Sequence, residues 1–481
     1  METLRRDLVI IGGGAAGLMA AAQISSLLSE EVNSFKPSVL LIEKMMRPGR
    51  KIGITGKGRC NLTNARMWDE FSVHVHPNPN FFKNAFYNFS SSDTMDFFRR
   101  LGLELTVERG QRVYPKSMKA QDVTDTLVRY IKRCRAVEIS TEVSVDSVSE
   151  SEFFKLNLSD GSVVESRMVL VATGGLSYPS TGSTGDGYAF AEALGHTVTA
   201  RYPSLTALTP KDYKEKPKQT KQLQPLPEDK EYTIFQHTEK PSEQTETKSG
   251  QAEIKSVQQA EQQAVSVLAG WAKQLCGLQL KNVSLSLIVN GNVAQEEFGD
   301  LDFTEGGIEG ALGFRVSRKA VLSLSQGQKV SLVLDMKPSL SESQLRERIK
   351  RESSTGNNNV KYLLSKLLPR QMIQPFLTIH KKTLLMQSNS KAVEELPKLL
   401  KNTQFDIDSY VGYERCVVTN GGVSLGEVSP KTMESKLKKG LFFAGEVLDL
   451  DGDTGGYNLQ IAFSTAALAA RAIVNEFKRE S

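Results

Sequence analysis

The sequence predicts an α/β protein that opens on a Rossmann-like βαβ unit. Three observations carry this. The wholly apolar run Leu8-Val9-Ile10-Ile11 passes directly into the glycine turn Gly12-Gly13-Gly14-Ala15-Ala16-Gly17. A helical pattern follows, Leu18 to Leu28, and then a second apolar run, Val39 to Ile42, that stops at Glu43. The same style returns near the other end of the chain, at Leu441-Phe442-Phe443-Ala444, followed by glycine turns and a helical stretch, Gln460 to Phe477. Short continuous apolar runs suit strands buried on both faces of a parallel sheet, and a helix between two of them is the crossover that such a sheet requires.

Between these ends the elements follow in order. Residues 85 to 135 alternate helical patterns with short extended pieces. Residues 153 to 173 read as strands around a hairpin turn at Asp160-Gly161, ending in the buried run Val169 to Ala172. Asp186 to Leu194 is an expected helix, stopped by Gly195. After Pro210 the composition shifts: residues 211 to 264 are rich in Lys, Gln, Glu, Thr and Pro. Such a stretch cannot bury enough surface to offset its ordering entropy, so a mobile polar insertion without chemistry is expected. Strand patterns resume at Leu278 to Val289 and Lys329 to Leu334, and residues 341 to 402 look helical.

The chain has 481 residues, 39% apolar and 24% charged. That is ample for a sizeable core and excludes collagen-like, coiled-coil and wholly disordered classes. Sixty basic and 55 acidic residues leave a net charge of +5, too mild to imply nucleic acid as a partner. The cysteines, Cys60, Cys134, Cys276 and Cys416, form no CxxC, which suits a reducing, cytoplasmic setting and writes neither a dithiol pair nor a zinc site. Arg5-Arg6 before an apolar run imitates a signal peptide, but the run is shorter than the ~20 residues of a span and holds three glycines at its centre. It reads as a strand and turn of a folded domain, and no membrane partner is expected.

The chemistry begins at G-x-G-x-x-G. Gly12 permits the tight turn, Gly14 lets main chain approach a pyrophosphate, and Gly17 allows close helix–strand packing. Ala15 and Ala16 open the helix whose unpaired N–H groups face the phosphates. Glu43, ending the next strand, is placed for ribose hydroxyls, somewhat beyond the usual ~20-residue spacing. A basic, glycine-rich loop follows, Arg47-Pro48-Gly49-Arg50-Lys51-Ile52-Gly53 and Thr55-Gly56-Lys57-Gly58-Arg59-Cys60-Asn61, suited to a flat ring with anionic oxygens. Two further signatures are Val171-Ala172-Thr173-Gly174-Gly175, and Phe443-Ala444-Gly445-Glu446 with Gly455-Gly456-Tyr457-Asn458-Leu459-Gln460. The last sets a helix N-terminus near residue 459, favourable to negative charge on a flavin ring.

These three signatures in this order resemble the two-dinucleotide-fold FAD proteins. The finer text, Gly56-Lys57-Gly58-Arg59-Cys60-Asn61-Leu62-Thr63-Asn64, Ala172-Thr173-Gly174-Gly175-Leu176-Ser177-Tyr178-Pro179, Pro430-Lys431-Thr432-Met433-Glu434-Ser435-Lys436 and Gly445-Glu446-Val447-Leu448-Asp449-Leu450-Asp451-Gly452, is similar to the BaiN-like flavoproteins, often labelled aminoacetone-oxidase-family or NAD(P)/FAD-dependent oxidoreductases. The resemblance covers residues 5 to about 205 and 410 to 478. It implies FAD held by residues matching Gly12 to Gly17, Glu43, Arg50, Lys51, Cys60, Asn61, Glu446, Asp449, Asn458 and Leu459, with Thr173, Gly174 and Gly445 in the signature turns. It implies a divided FAD-binding domain, 1–205 and 411–481, around an inserted, β-rich, barrel-like substrate domain with a helical part, 206–410. One activity in the family is reduction of a conjugated steroid enone. Within the insert the family block, roughly Thr-His-x-Gly-(Ile/Leu)-Ser-Gly-Pro, here reads Thr304-Glu305-Gly306-Gly307-Ile308-Glu309-Gly310-Ala311, so substrate identity does not carry over.

Only one G-x-G-x-x-G is present, so NAD(P)H is expected at most as a transient reductant. The candidate catalytic residues are Arg59, as an anchor for a carboxylate or flavin oxygen, and Tyr178 and Tyr457, whose hydroxyls can donate a proton in enone reduction. The bland readings are a loop-bracing arginine and packing aromatics. Cys60 reads as a packing contact with the flavin, Asp186 as an N-cap, and Arg315, Arg318 and Lys319 as a solvated face. His74, His76, His196, His237 and His380 show no pair at ligand spacing, so no metal is expected. The function expected is hydride transfer between flavin N5 and a small organic molecule. A non-enzymatic flavin-binding protein and, ranked lower, a tRNA-modifying flavoprotein are the alternatives. Oligomeric state is left open.

Overall fold

The computed structural model describes residues 3–29, 36–215, 267–354, 359–384 and 388–480. The central sheet is assembled from distant parts of the chain. The first strand, Thr3–Ile11, pairs in parallel with Val39–Glu43 on one side and Val163–Val171 on the other. Val137–Thr141 extends one edge, and Leu441–Phe443 pairs in parallel with Val163–Val171. Phe154–Leu158 and Val145–Glu150 add an antiparallel meander beside that strand.

The apolar runs become the middle of this sheet because both its faces are covered. Leu8, Val9 and Ile10 are fully buried, as are Val169, Leu170 and Val171. Helix Ala15–Ser29 packs against the long closing helix Tyr457–Glu480, and small residues make the close approach possible: Ala20, Ala21, Ala466 and Ala470 have no exposed surface. The helices Pro79–Asn88 and Ser91–Arg100 lie on the same closing helix, Phe98 meeting Phe463 at a ring separation of 5.8 Å.

Between the two halves stands a closed barrel of six strands, ordered Leu208–Pro210, Gly307–Glu309, Asn292–Thr304, Gln279–Val289, Val330–Asp335 and Thr403–Tyr410. Alternation fixes its register: Leu285, Leu287, Leu332 and Leu334 are buried while their chain neighbours face outward. The helical stretch resolves into Glu342–Ser353, Val360–Leu367, Arg370–Ile379, Lys381–Leu384 and Asn389–Lys401, which pack Leu345, Leu364, Phe376 and Leu396 into the barrel's cluster. A capping box at Ser341 and Gln344 starts the first of them.

The expected polar insertion needs one correction. Its first residues belong to the fold: Tyr213 is fully buried, its hydroxyl donates to Thr304 O at 2.8 Å, and its ring meets Trp271 edge-on at 5.4 Å. Residues 216–264 of that insertion lie outside the described residues.

Candidate active site

A cavity of about 780 Å³ lies where the sheet's glycine turn, the start of the closing helix and the barrel meet. Its dinucleotide end is shaped by backbone. Gly12 sits at φ +102°, and a Cβ there would come 2.7 Å from Ala172 O; a Cβ on Gly17 would come 1.8 Å from Gly12 O. No residue with a side chain fits either place. Gly14 is the opposite case: a Cβ there would meet nothing within 4 Å, so this backbone faces open cavity at a helix N-terminus. Glu43 is pinned by two N–H donors, Gly13 and Met45, each at 2.8 Å, and burial raises its carboxyl above the usual range. It lines the cavity between the turn and the loop after it.

The stretch expected as a basic loop is instead a short helix, Arg50–Gly58, that loses helical geometry only at Thr55, Gly56 and Lys57, and it is tied to the tail. Lys51 Nζ donates to Glu446 Oε2 at 2.7 Å and to Ser177 Oγ at 2.9 Å. Glu446 Oε1 also accepts from Ser177 Oγ at 2.7 Å and Thr419 N–H at 2.9 Å. Burial alone would raise this carboxyl; the Lys51 charge and these hydrogen bonds outweigh it and hold the group below the carboxylate range. Asn61 presents a buried Oδ1 with no hydrogen-bond partner among the described residues, and it lines the cavity. An unpaired buried acceptor costs about 1–3 kcal/mol, which a ligand's donor would recover.

The tail closes this wall. Gly456, at φ +99°, is packed so tightly that a Cβ would lie 2.4 Å from the Thr63 carbonyl and 2.9 Å from Asn61 Oδ1. Asn64 Nδ2 holds the Gly455 carbonyl at 3.0 Å. Asn458 spends its side chain on Gly452, accepting from its N–H and donating to its carbonyl, both at 2.7 Å. Asn458 and Leu459 both line the cavity.

Most residues expected at the cofactor are therefore together: Gly12, Gly14, Ala15 and Ala16 from the turn and the helix it opens; Glu43 from the end of its strand; Arg50 and Lys51 from the short helix after it, and Asn61 just beyond; Thr173, Gly174, Glu446, Asn458 and Leu459 from later segments. Four expected positions lie behind the lining. Gly17 packs on the turn, and a Cβ on Gly445 would sit 2.8 Å from Ala16 Cβ. Cys60 is fully buried and its thiol is pushed up to about 12, so it is inert. Asp449 turns its carboxyl to Thr199. Of the catalytic candidates, Tyr178 and Tyr457 line the cavity, whereas Arg59 stacks over the Tyr114 ring at 4.9 Å and lies 3.8 Å from Glu108. Asp186 is not an N-cap; Gly185 is, and Asp186 pairs with Lys44 Nζ at 2.6 Å.

The barrel supplies the facing wall through Glu309, Ala311, Phe314 and Arg315, the last strand residue and first turns of helix Gly310–Ser325. Burial raises the Glu309 carboxyl, with Lys57 and Arg415 opposing. The expected solvated face is overturned at Arg318. Its guanidinium grips Asp451 with both ends, Nη1 to Oδ1 at 2.7 Å, because Asp451 is buried in the other domain and needs a cation.

Sequence reasoning missed one constellation. Arg66, His74 and Asp453 line the cavity beside Tyr457. Asp453 takes His74 Nδ1 at 2.8 Å and His76 Nε2 at 3.2 Å, so burial, which raises its carboxyl, is outweighed and the group lies well below the usual range. His74 and His76 are visible in sequence, but their partner lies 379 and 377 positions away, and no spacing announces it.

Taken with the sheet that carries it, this glycine turn beside a basic, glycine-rich segment marks a Rossmann-type flavoprotein. Comparison with known proteins agrees. The HI0933-like protein Rossmann domain matches residues 6–472, and the chain belongs to that family. It is 30% identical over 471 residues to the 3-dehydro-bile acid delta(4,6)-reductase of Clostridium scindens, covering 96% of this chain and 98% of that one. It is 30% identical over 484 residues to the ribosomal RNA dihydrouridine synthase of Escherichia coli, covering 98% of each, and 27% identical over 474 residues to the enzyme of that name from Haemophilus influenzae, covering 97% and 98%. The protein is an FAD-dependent oxidoreductase rather than a non-enzymatic flavin carrier. No helix among the described residues is long and apolar enough to cross a membrane.

Proposed function

We propose that the protein reduces a carbon–carbon double bond conjugated to a carbonyl, in a small substrate held between the cofactor and the barrel wall. The observation that carries this is the position of Tyr457: a phenol in the cavity wall, at the start of the helix that follows the Gly455-Gly456 turn. Reduction of such a bond needs a hydride at one carbon and a proton at the other. When bound, FAD supplies the hydride. Tyr457 supplies the proton. The names of the relatives support the bond type. A delta(4,6) 3-dehydro steroid carries double bonds conjugated to its ketone, and the ring bond lost from uridine to dihydrouridine is conjugated to a ring carbonyl.

In this reading the turn Gly12–Gly17 and helix Ala15–Ser29 bind the pyrophosphate, Glu43 the ribose, and Asn61, Lys51, Asn458 and Leu459 stand at the ring. Residues 1–205 and 411–481 hold the cofactor, and 206–410 supply the substrate wall. Glu309, Ala311, Phe314 and Tyr178 shape the substrate side and exclude water. The single G-x-G-x-x-G supports NAD(P)H as a passing reductant. Four cysteines without a disulfide support a cytoplasmic protein.

A second reading has a uracil in RNA as the substrate. The names of two relatives favour it, as do Lys57, Arg112 and Arg415 in the cavity lining. One experiment separates them. Anaerobically reduced protein is mixed with a conjugated dienone steroid, a panel of smaller enones, or ribosomal RNA lacking dihydrouridine, and flavin reoxidation is followed with product mass. Rapid reoxidation with two mass units added to a small carbonyl compound supports the first reading. Reoxidation by RNA alone gives the second, and reoxidation by neither removes both.

A further inference from the structure

The hydrogen bonds around Tyr457 have directions that can be assigned from one end. Arg66 Nη1 lies 2.6 Å from Tyr457 Oη and 3.1 Å from His74 Nε2. A guanidinium nitrogen only donates. Both contacts are therefore acceptors, and His74 is the neutral tautomer with its proton on Nδ1, directed at Asp453 Oδ2. The second Asp453 oxygen takes the Nε2–H of His76. The carboxylate thus fixes the tautomer, the tautomer fixes the guanidinium, and the guanidinium occupies a lone pair of the phenol.

One proton is left over. Tyr457 Oη accepts from Arg66, so its own hydrogen points elsewhere, and no acceptor for it stands within hydrogen-bond distance among the described residues. The ring cannot swing to find one: Phe71 meets it edge-on at 4.8 Å and His74 covers it at 4.4 Å, and the residue is 2% exposed. Tyr457 lines the cavity, which is where an acceptor for that hydrogen could come from.

We infer that Arg66, itself held by His74 and Asp453, is the positioning group that aims the Tyr457 proton into the cavity and faces the charge left on its oxygen. This rests on the reading of the protein as a reductase of conjugated double bonds. A bound FAD would supply the hydride for the β carbon; the electron pair freed at the α carbon would take the Tyr457 proton, and Arg66 would balance the phenolate until solvent returned a proton. The charged and titratable groups facing the phenol are Arg66, His74, Asp453 and Glu70. Burial raises the phenol above its ordinary value, Arg66 opposes that, and Asp453 and Glu70 add to it.

The test uses full-length holoenzyme with difluorotyrosine placed at position 457, which brings the phenol's ionisation into an accessible pH range, read by fluorine NMR. Arg66→Met should raise the titration midpoint by about one pH unit or more, Arg66→Lys should restore most of the shift, and Asp453→Asn should move it the opposite way. Opposite signs cannot come from general loosening of the fold. Substrate-driven flavin reoxidation should fall about 100-fold in Tyr457→Phe and less in Arg66→Met. An unmoved midpoint in Arg66→Met, or equal shifts of one sign in all variants, overturns the assignment. Should Arg66→Met not fold, the Asp453→Asn and Arg66→Lys midpoints decide it alone. Midpoints that move as stated in a protein that reduces no conjugated carbonyl leave the network standing and remove the substrate reading.

Discussion

Lys51 and Glu446 are joined by a 2.7 Å ion pair across 395 positions of sequence. One belongs to the short helix after the first βαβ unit, the other to the segment after strand Leu441–Phe443, and the pair fastens the start and the end of the chain at the cavity wall. Glu446 also accepts from Ser177 and Thr419, so its charge is satisfied from three other segments of chain.

Removing one partner should therefore cost more than removing the charge itself. Lys51→Met leaves a buried carboxylate without its cation, a loss of about 3 kcal/mol discounted by partial solvent contact, while Glu446→Gln keeps the Ser177 and Thr419 bonds through its one oxygen, gives up the bond from Lys51, and leaves no buried carboxylate unpaired, so it should lose less. Because the Glu446 carboxyl is held below its unfolded value, its contribution is present above the ordinary carboxylate range and disappears as pH falls through the folded value. Flavin release on acid titration should accordingly show a component missing from Glu446→Gln, read by flavin fluorescence.

Gly456→Val should purify with little flavin. Its Cβ would enter the Thr63 carbonyl at 2.4 Å, in a backbone conformation that a β-branched residue resists. The barrel should remain folded, which the emission of Trp271 reports in a Trp68→Phe background, since Trp271 packs on Tyr213. A fully yellow variant would separate the tail from the cofactor site.

Arg318→Met should lower thermal stability by about 3 kcal/mol, because Asp451, whose carboxyl burial already raises, would lose its cation and have to take up a proton to stay buried. The double variant with Asp451→Asn should recover much of that loss. Additive losses in calorimetry would mean that the two groups act independently.

The cofactor released by heat should be FAD and not FMN on chromatography. Gly14 offers open backbone at a helix N-terminus to which a pyrophosphate would fit, and Glu43 lines the same cavity, where it would take the hydroxyls of an adenosine ribose; FMN has neither group. FMN alone would be incompatible with the site as drawn.

Much of the fold was legible because it is written locally. The runs Leu8–Ile11 and Val39–Ile42 are buried strands, and Asp160-Gly161 is a hairpin turn in place. The dinucleotide half of the site shared this advantage, since its glycines are consecutive. The surroundings of Tyr457 did not. His74 and Asp453 meet only because Asp451 and Gly452 pair with Val75 and His76 as a short antiparallel ladder, and nothing in either segment alone predicts that pairing. Arg318 was misread for the same reason: its periodicity places it on a helix face, but not which carboxylate that face meets.

The clasp between Arg318 and Asp451 has a consequence for how such an enzyme acquires new substrates. Helix Gly310–Ser325 is riveted at Arg318, well past its first turns, and those first turns carry Ala311 and Phe314 into the cavity. Anchor and contact surface are thus separate stretches of one rigid rod. Side chains at 309, 311 and 314 are free to change in size and charge while the rod stays seated and the cofactor's surroundings are undisturbed.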